Sequence, residues 1–178
     1  GVMDPKGALK VLKRLSKDKS LRVRVAAVEG LALVPGDKAE GLVRKALRRD
    51  DAWQVRLAAV RALEARSSPF LESSLIERAS NRYESWRVRA ECIDGLAGVP
   101  TLKSVDSLIA LLEDTEGRLH AEVLRALQRL VAKRLDTDDD WRAWWSGSRE
   151  GFEFPEEGAK APEPKALAEN ATRTRTFF

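Results

Sequence analysis

The sequence predicts an all-α fold: a right-handed α-solenoid of about four antiparallel helical hairpins, closed by a C-terminal Trp-rich capping helix and followed by a disordered tail. Three observations predict it. The block Val23-Arg24-Val25-Ala26-Ala27-Val28-Glu29-Gly30-Leu31 returns as Val55 to Leu63 and, more loosely, as Val88 to Leu96 and Leu119 to Leu127. The first residues of these blocks lie 32, 33 and 31 positions apart, a period in the range of helical-hairpin repeats. Each block carries apolar or small side chains at helical spacing, and a second helical pattern precedes each one.

Taken in order, Asp4-Pro5 is an N-cap with proline in the first turn, so a helix follows, patterned from Ala8 to Leu15, and the first block supplies its partner. Val34-Pro35-Gly36-Asp37 ends that hairpin and opens the next helix, Ala39 to Leu47, which pairs with the second block. Ser67-Ser68-Pro69 and Gly98-Val99-Pro100-Thr101 do the same for Leu71 to Ala79 and Val105 to Leu112. Within the blocks, Ala27, Ala59, Cys92 and Val123 form one column of small residues, and Gly30, Ala62, Gly95 and Ala126 form another, as close helix approach requires. Leu31, Leu63, Leu96 and Leu127 form an unbroken leucine column, so stacked copies share one core.

After the fourth block, Asp136-Thr137-Asp138-Asp139-Asp140 caps a short helix near 138–146 with favourable charge. It is not a calcium loop, since Trp141 and Gly147 stand where such a loop needs glycine and a bidentate glutamate. Trp141, Trp144 and Trp145 share one face of that helix and are placed to close the last repeat. The repeat domain with its cap is therefore expected over 1–146. Residues 147–178 read as a Pro/Glu-rich linker or tail, expected to be disordered.

In this setting the turn before each block acquires meaning. Asp18, Asp50 and Asp114 each precede their block by five residues, and Val23-Arg24 and Val55-Arg56 open the first two blocks. On these residues the segment from about 5 to 133 resembles HEAT-repeat proteins of the short bacterial type. The third repeat has Tyr83 where the Asp is expected, and the fourth has Leu119-His120 in place of Val-Arg. The resemblance implies an armadillo-like superhelix whose usual role is protein–protein interaction. It also implies that Arg24, Arg56 and Arg89 bond to the turn acid of an adjacent repeat. A Trp-rich last helix followed by such a linker further resembles bacterial arrays that precede a von Willebrand factor A domain, which implies an N-terminal arm of a larger protein.

Six residues are candidates for partner binding. Trp53 and Trp86 each sit two residues before a Val-Arg pair, either covering the seam between repeats or exposed as anchoring aromatics. Arg56 and Arg89 belong to the arginine column, where ladder bonding competes with ligand contact. Glu91 and Glu122 stand where the first two blocks have Ala26 and Ala58, so they mark an acidic site or a solvated rim. His120 is expected to be a polar substitute for arginine, and Cys92 a small buried filler.

Composition narrows the chemistry. One cysteine and one histidine exclude an intrachain disulfide, a multi-cysteine zinc site and any His-His pair for metal chemistry. No nucleotide loop or other catalytic constellation is visible, so the expectation is a non-enzymatic scaffold without cofactor or metal that binds a protein or peptide. No apolar run approaches the roughly 18 residues of a membrane span. Residues 1–135 hold 26 Lys+Arg against 18 Asp+Glu, a net +8, and residues 136–178 hold 6 against 10, a net −4. The basic body, with Lys10, Lys13, Arg14, Lys17 and Lys19 and then Arg44, Lys45, Arg48 and Arg49, supports an alternative reading. That alternative is a nucleic-acid-binding HEAT-like protein, of which the alkylpurine DNA glycosylases are an example.

Overall fold

The computed structural model describes residues 4–156 and is helical throughout, with no strand among those residues. Four hairpins follow one another: α1 (Pro5–Leu15) with α2 (Leu21–Ala32), α3 (Asp37–Arg49) with α4 (Trp53–Ala65), α5 (Leu71–Ser80) with α6 (Trp86–Leu96), and α7 (Leu102–Asp114) with α8 (Gly117–Val131). A ninth helix, α9 (Asp138–Ser148), packs against α7. The second helices contact one another in series, α2 on α4, α4 on α6 and α6 on α8. The first helices stand further apart, with α5 and α7 the pair in closest contact. Tighter spacing in one layer bends the stack, so the second helices line its inner face.

Local chemistry sets the boundaries. Asp4 caps α1 by accepting the Lys6 and Gly7 backbone N–H groups at 3.0 and 2.9 Å. Gly36 adopts a positive φ of 95° at the turn into α3, a conformation that favours glycine. The leucine column is fully buried at Leu31, Leu63, Leu96 and Leu127, and Ala27, Ala59, Cys92 and Val123 are buried beside it. Each such leucine contributes roughly 1.5–3 kcal/mol of hydrophobic burial. A Cβ on Gly95 would lie 3.1 Å from the Leu75 side chain, which is the close approach that keeps this column small. On the first helices, Val43, Leu75 and Leu108 are buried at equivalent places, whereas Val11 is 46% exposed because no described repeat covers α1.

Two polar ladders tie the repeats together. In the first, Arg24 makes a two-pronged bond to Asp50 (2.9 and 3.1 Å) and also donates to the Asp18 carbonyl. Arg56 repeats this geometry, donating to the Asp50 carbonyl at 2.6 Å and to Glu84 at 2.6 and 2.9 Å. The expected acid position of the third repeat, Tyr83, is wholly solvent-exposed. Glu84, one residue later, turns inward and takes the acid's role. The rung that Arg89 should have made to Asp114 is absent: Arg89 is buried and gives its Nε proton to the Ala79 carbonyl at 2.8 Å, while Asp114 pairs with Arg82. His120 then resumes the ladder, its Nε2 3.0 Å from both carboxylate oxygens of Asp138 in the cap.

The second ladder runs along the opposite ends of the helices. Glu40 accepts from Ser68, and Glu72 accepts from Thr101 and Ser104. Asp106 accepts from Trp145 Nε1 at 2.8 Å and from Arg149. Glu40 and Glu72 fall at matching places on α3 and α5, three residues before Val43 and Leu75, and Asp106 sits one place later on α7, two residues before Leu108; each of the three first helices thus reaches the segment that follows its own hairpin.

The cap is more extensive than its tryptophans alone suggested. Thr137 is the N-cap residue, in a reciprocal capping box with Asp140, and the Asp run fills the first turn. Trp141 is fully buried and Trp145 nearly so. The composition-based boundary at 147 falls inside α9, and beyond it Phe152 packs edge-on to Trp144 and Trp145 while Phe154 packs on Phe152. The remainder of the Pro/Glu-rich tail, 157–178, lies outside the described residues.

Candidate partner-binding groove

Because the second helices run side by side on the inner face, side chains spaced four apart on α4 and α6 face each other across a shallow trough. Trp53, Leu57 and Arg61 form one wall and Trp86, Ala90 and Glu91 the other, with Glu122 of α8 at the margin. The open groove has a volume of about 360 Å³. Its floor is apolar, with Leu57 and Ala90 half-buried, and its ends differ in chemistry.

At the end where α4, α6 and α8 begin, Trp86 is 43% exposed. The Arg87 guanidinium sits 4.9 Å from the Trp53 ring centre and 4.7 Å from that of Trp86, and Arg118 sits 4.7 Å from Trp86 on α6. Stacking on indole holds a guanidinium in place while leaving its edge N–H groups open. At the other end charges are mostly paired: Arg61 with Glu91 at 2.6 Å, Arg125 with Glu122 at 2.6 Å, and Arg129 with Asp94. Glu64 is in none of these pairs. Partial burial, reinforced by Glu91 and Asp94, pushes its carboxyl above the usual carboxylate range.

Of the six residues singled out in the sequence, the fold brings Trp53, Trp86, Glu91 and Glu122 to this one groove. Arg56 and Arg89 point away from it, into the ladder and the hairpin interior. Sequence reasoning passed over Arg87 and Arg118, although a signal was present. The residue before each Val-Arg position is Arg22, Gln54, Arg87 and Arg118, a column basic in three repeats of four. Cys92 is fully buried, and burial pushes its thiol far above the ordinary range, so it offers no nucleophile. Among the described residues no group of three or more His, Cys, Asp or Glu could hold a metal ion, and no helix is long and apolar enough to cross a membrane.

The basic residues of the first hairpin lie elsewhere. Lys10, Lys13, Arg14, Lys17 and Lys19 surround a second, larger concavity of about 690 Å³ with Asp18 and no aromatic group. Arg44 on α3 is stacked on Phe70, 3.7 Å from the ring centre.

Stacked antiparallel hairpins with a shared core and equivalent inter-repeat rungs define an α-solenoid. Residues 8–81, from α1 through α5, match the family model described as HEAT repeats. The same hairpin geometry continues through α8, so the α-solenoid extends beyond the segment that is similar to HEAT repeats. No curated protein matches it.

Proposed function

We propose that this chain is a non-catalytic scaffold that binds a protein or peptide in the groove between α4 and α6. HEAT repeats commonly act as protein-interaction scaffolds, and repeat stacking creates an extended concave surface for that purpose. The observation that carries the reading is Trp86: a large aromatic left 43% exposed on the inner face, beside Trp53 and above an apolar floor. Tryptophan and arginine dominate interface hot spots because they combine large contact area with directed polar groups. Glu91 and Glu122 form part of the polar rim.

The test is selection of binders from a displayed random-peptide library, followed by affinity measurement against the native chain and Trp86→Ala. Selected peptides are expected to lose at least about tenfold in affinity, which is roughly 1.4 kcal/mol, with unchanged thermal stability. A library that yields no binder sensitive to Trp86→Ala overturns the reading. Salt-steep binding to duplex or single-stranded DNA through the Lys10 to Lys19 cluster would instead favour nucleic-acid recognition.

A further inference from the structure

We infer that the occupant of the groove is an extended peptide carrying an acidic side chain at the Trp86 end and a basic side chain at the Glu64 end, with an apolar residue between them. This rests on the scaffold reading and assigns its ligand chemistry. The argument begins with an asymmetry among the arginines of the inner face. Arg61, Arg125 and Arg129 each hold a carboxylate. Arg87 and Arg118 hold none among the described residues, although Glu116 lies two residues from Arg118 in sequence. They lie instead against the faces of Trp53 and Trp86. Two exposed guanidiniums, fixed by indole rings with their N–H edges free, present a geometry that matches a carboxylate. The first turns of α4, α6 and α8 open at the same end without side-chain caps, which adds to its positive potential.

The opposite end has the opposite deficit. Glu64, Glu91, Asp94 and Glu122 gather there against Arg61, Arg125 and Arg129, and Glu64 is the carboxylate left over. Its Oε1 lies over Gly95, 2.5 Å from where a Cβ would stand, so the absence of a side chain on α6 makes room for it. A cation arriving there would neutralise a half-buried charge that no ion pair among the described residues holds.

The helix supplies the ruler. Trp53 and Glu64 are eleven residues apart on α4, a rise of about 16 Å. An extended peptide covers this in about five residues at roughly 3.3 Å each. Side chains on one face of an extended chain recur every second residue, which places the acid and the base about four or six positions apart. The side chain between them lies over Leu57 and Ala90.

Fluorescence anisotropy with labelled synthetic peptides tests this. The probes carry Glu and Lys four or six residues apart around a central Leu, in both chain directions; the controls replace Glu, Lys or both by Gln. At least one Glu/Lys peptide is expected to bind about tenfold more tightly than its Gln/Gln control. Arg87→Ala and Arg118→Ala should remove the advantage of Glu, and Glu64→Gln that of Lys, with melting curves showing each variant folded. Arg87→Glu paired with a Lys/Lys peptide should recover part of the loss. Equal binding of charged and Gln/Gln peptides, still abolished by Trp86→Ala, overturns the charge assignment and leaves the scaffold reading standing. If neither these probes nor the random library binds, both readings fall. If the two arginines bind single-stranded DNA in preference to every peptide, the peptide assignment is overturned.

Discussion

Arg56 reaches across one repeat to Glu84, its Nη2 2.6 Å from Oε1 and its Nε 2.9 Å from Oε2, and the Glu84 side chain is only 2% exposed. Among the described residues a second cation, Arg78, lies 3.7 Å from that carboxylate. Charge removed so completely from water is tolerated only when paired and hydrogen-bonded, so this rung fixes the register of the second repeat on the third.

Arg56→Met should therefore destabilise the fold by roughly 3 kcal/mol, because it strands Glu84 in the interior. The double change Arg56→Met with Glu84→Met should recover most of that loss, since both buried charges then disappear. Urea denaturation followed by circular dichroism measures both. A single variant as stable as the parent would show that the rung contributes little to holding the repeats together.

Asp106 gives a pH-dependent counterpart in the cap. Its hydrogen bonds from Arg149, and then from Trp145, hold the carboxyl below the usual range. The folded-state pKa thus lies below the unfolded value of about 4, so the stabilisation is complete above that pH and is lost as pH falls through the depressed folded value. Asp106→Asn should lower the melting temperature at neutral pH, and the difference from the parent should shrink steadily below about pH 4. Melts read by tryptophan fluorescence weight the cap, which holds three of the five tryptophans, and a pH-independent difference would contradict the assignment.

The fold was legible because helical packing repeats its demands: the leucine column and the small columns recur at each stack, and all four leucines are buried as the pattern required. The ladder was legible only in outline. Counting residues placed the third acid at Tyr83, but the α5–α6 turn directs Glu84 inward, and a one-residue shift in a turn leaves no trace in helical periodicity. The groove was half legible. Trp53 and Trp86 stand out by residue type, whereas Arg87 and Arg118 look like ordinary surface charges until their place against the indoles is known. Glu64 was invisible for the same reason: that it joins none of the ion pairs among the described residues is a property of three helices together.

Trp141 closes the far end of the array, fully buried at the start of α9 and stacked edge-on to Trp144 at 5.7 Å. Trp141→Ala should cost about 3–5 kcal/mol through lost burial and the cavity left behind. It should also expose the last repeat, so light scattering on warming is expected to show earlier association than in the parent. Unchanged stability and unchanged scattering would mean that α9 does not act as the cap.

Glu64 sets stability against binding. Its carboxyl is raised by burial and by Glu91 and Asp94, so the folded state holds this proton more tightly than the unfolded chain, whose glutamate titrates at about 4.3. Stability from this group therefore declines as pH rises from the unfolded value through the higher folded one, and the penalty is complete above that window. Glu64→Gln should raise the melting temperature slightly at neutral pH and leave it unchanged near pH 3, while weakening any peptide that presents a cation to the groove. A group serving the fold alone would shift stability without touching affinity. Opposite movements of the two in one variant, measured by thermal melts and anisotropy on the same samples, identify the carboxylate as one held ready for a partner's charge.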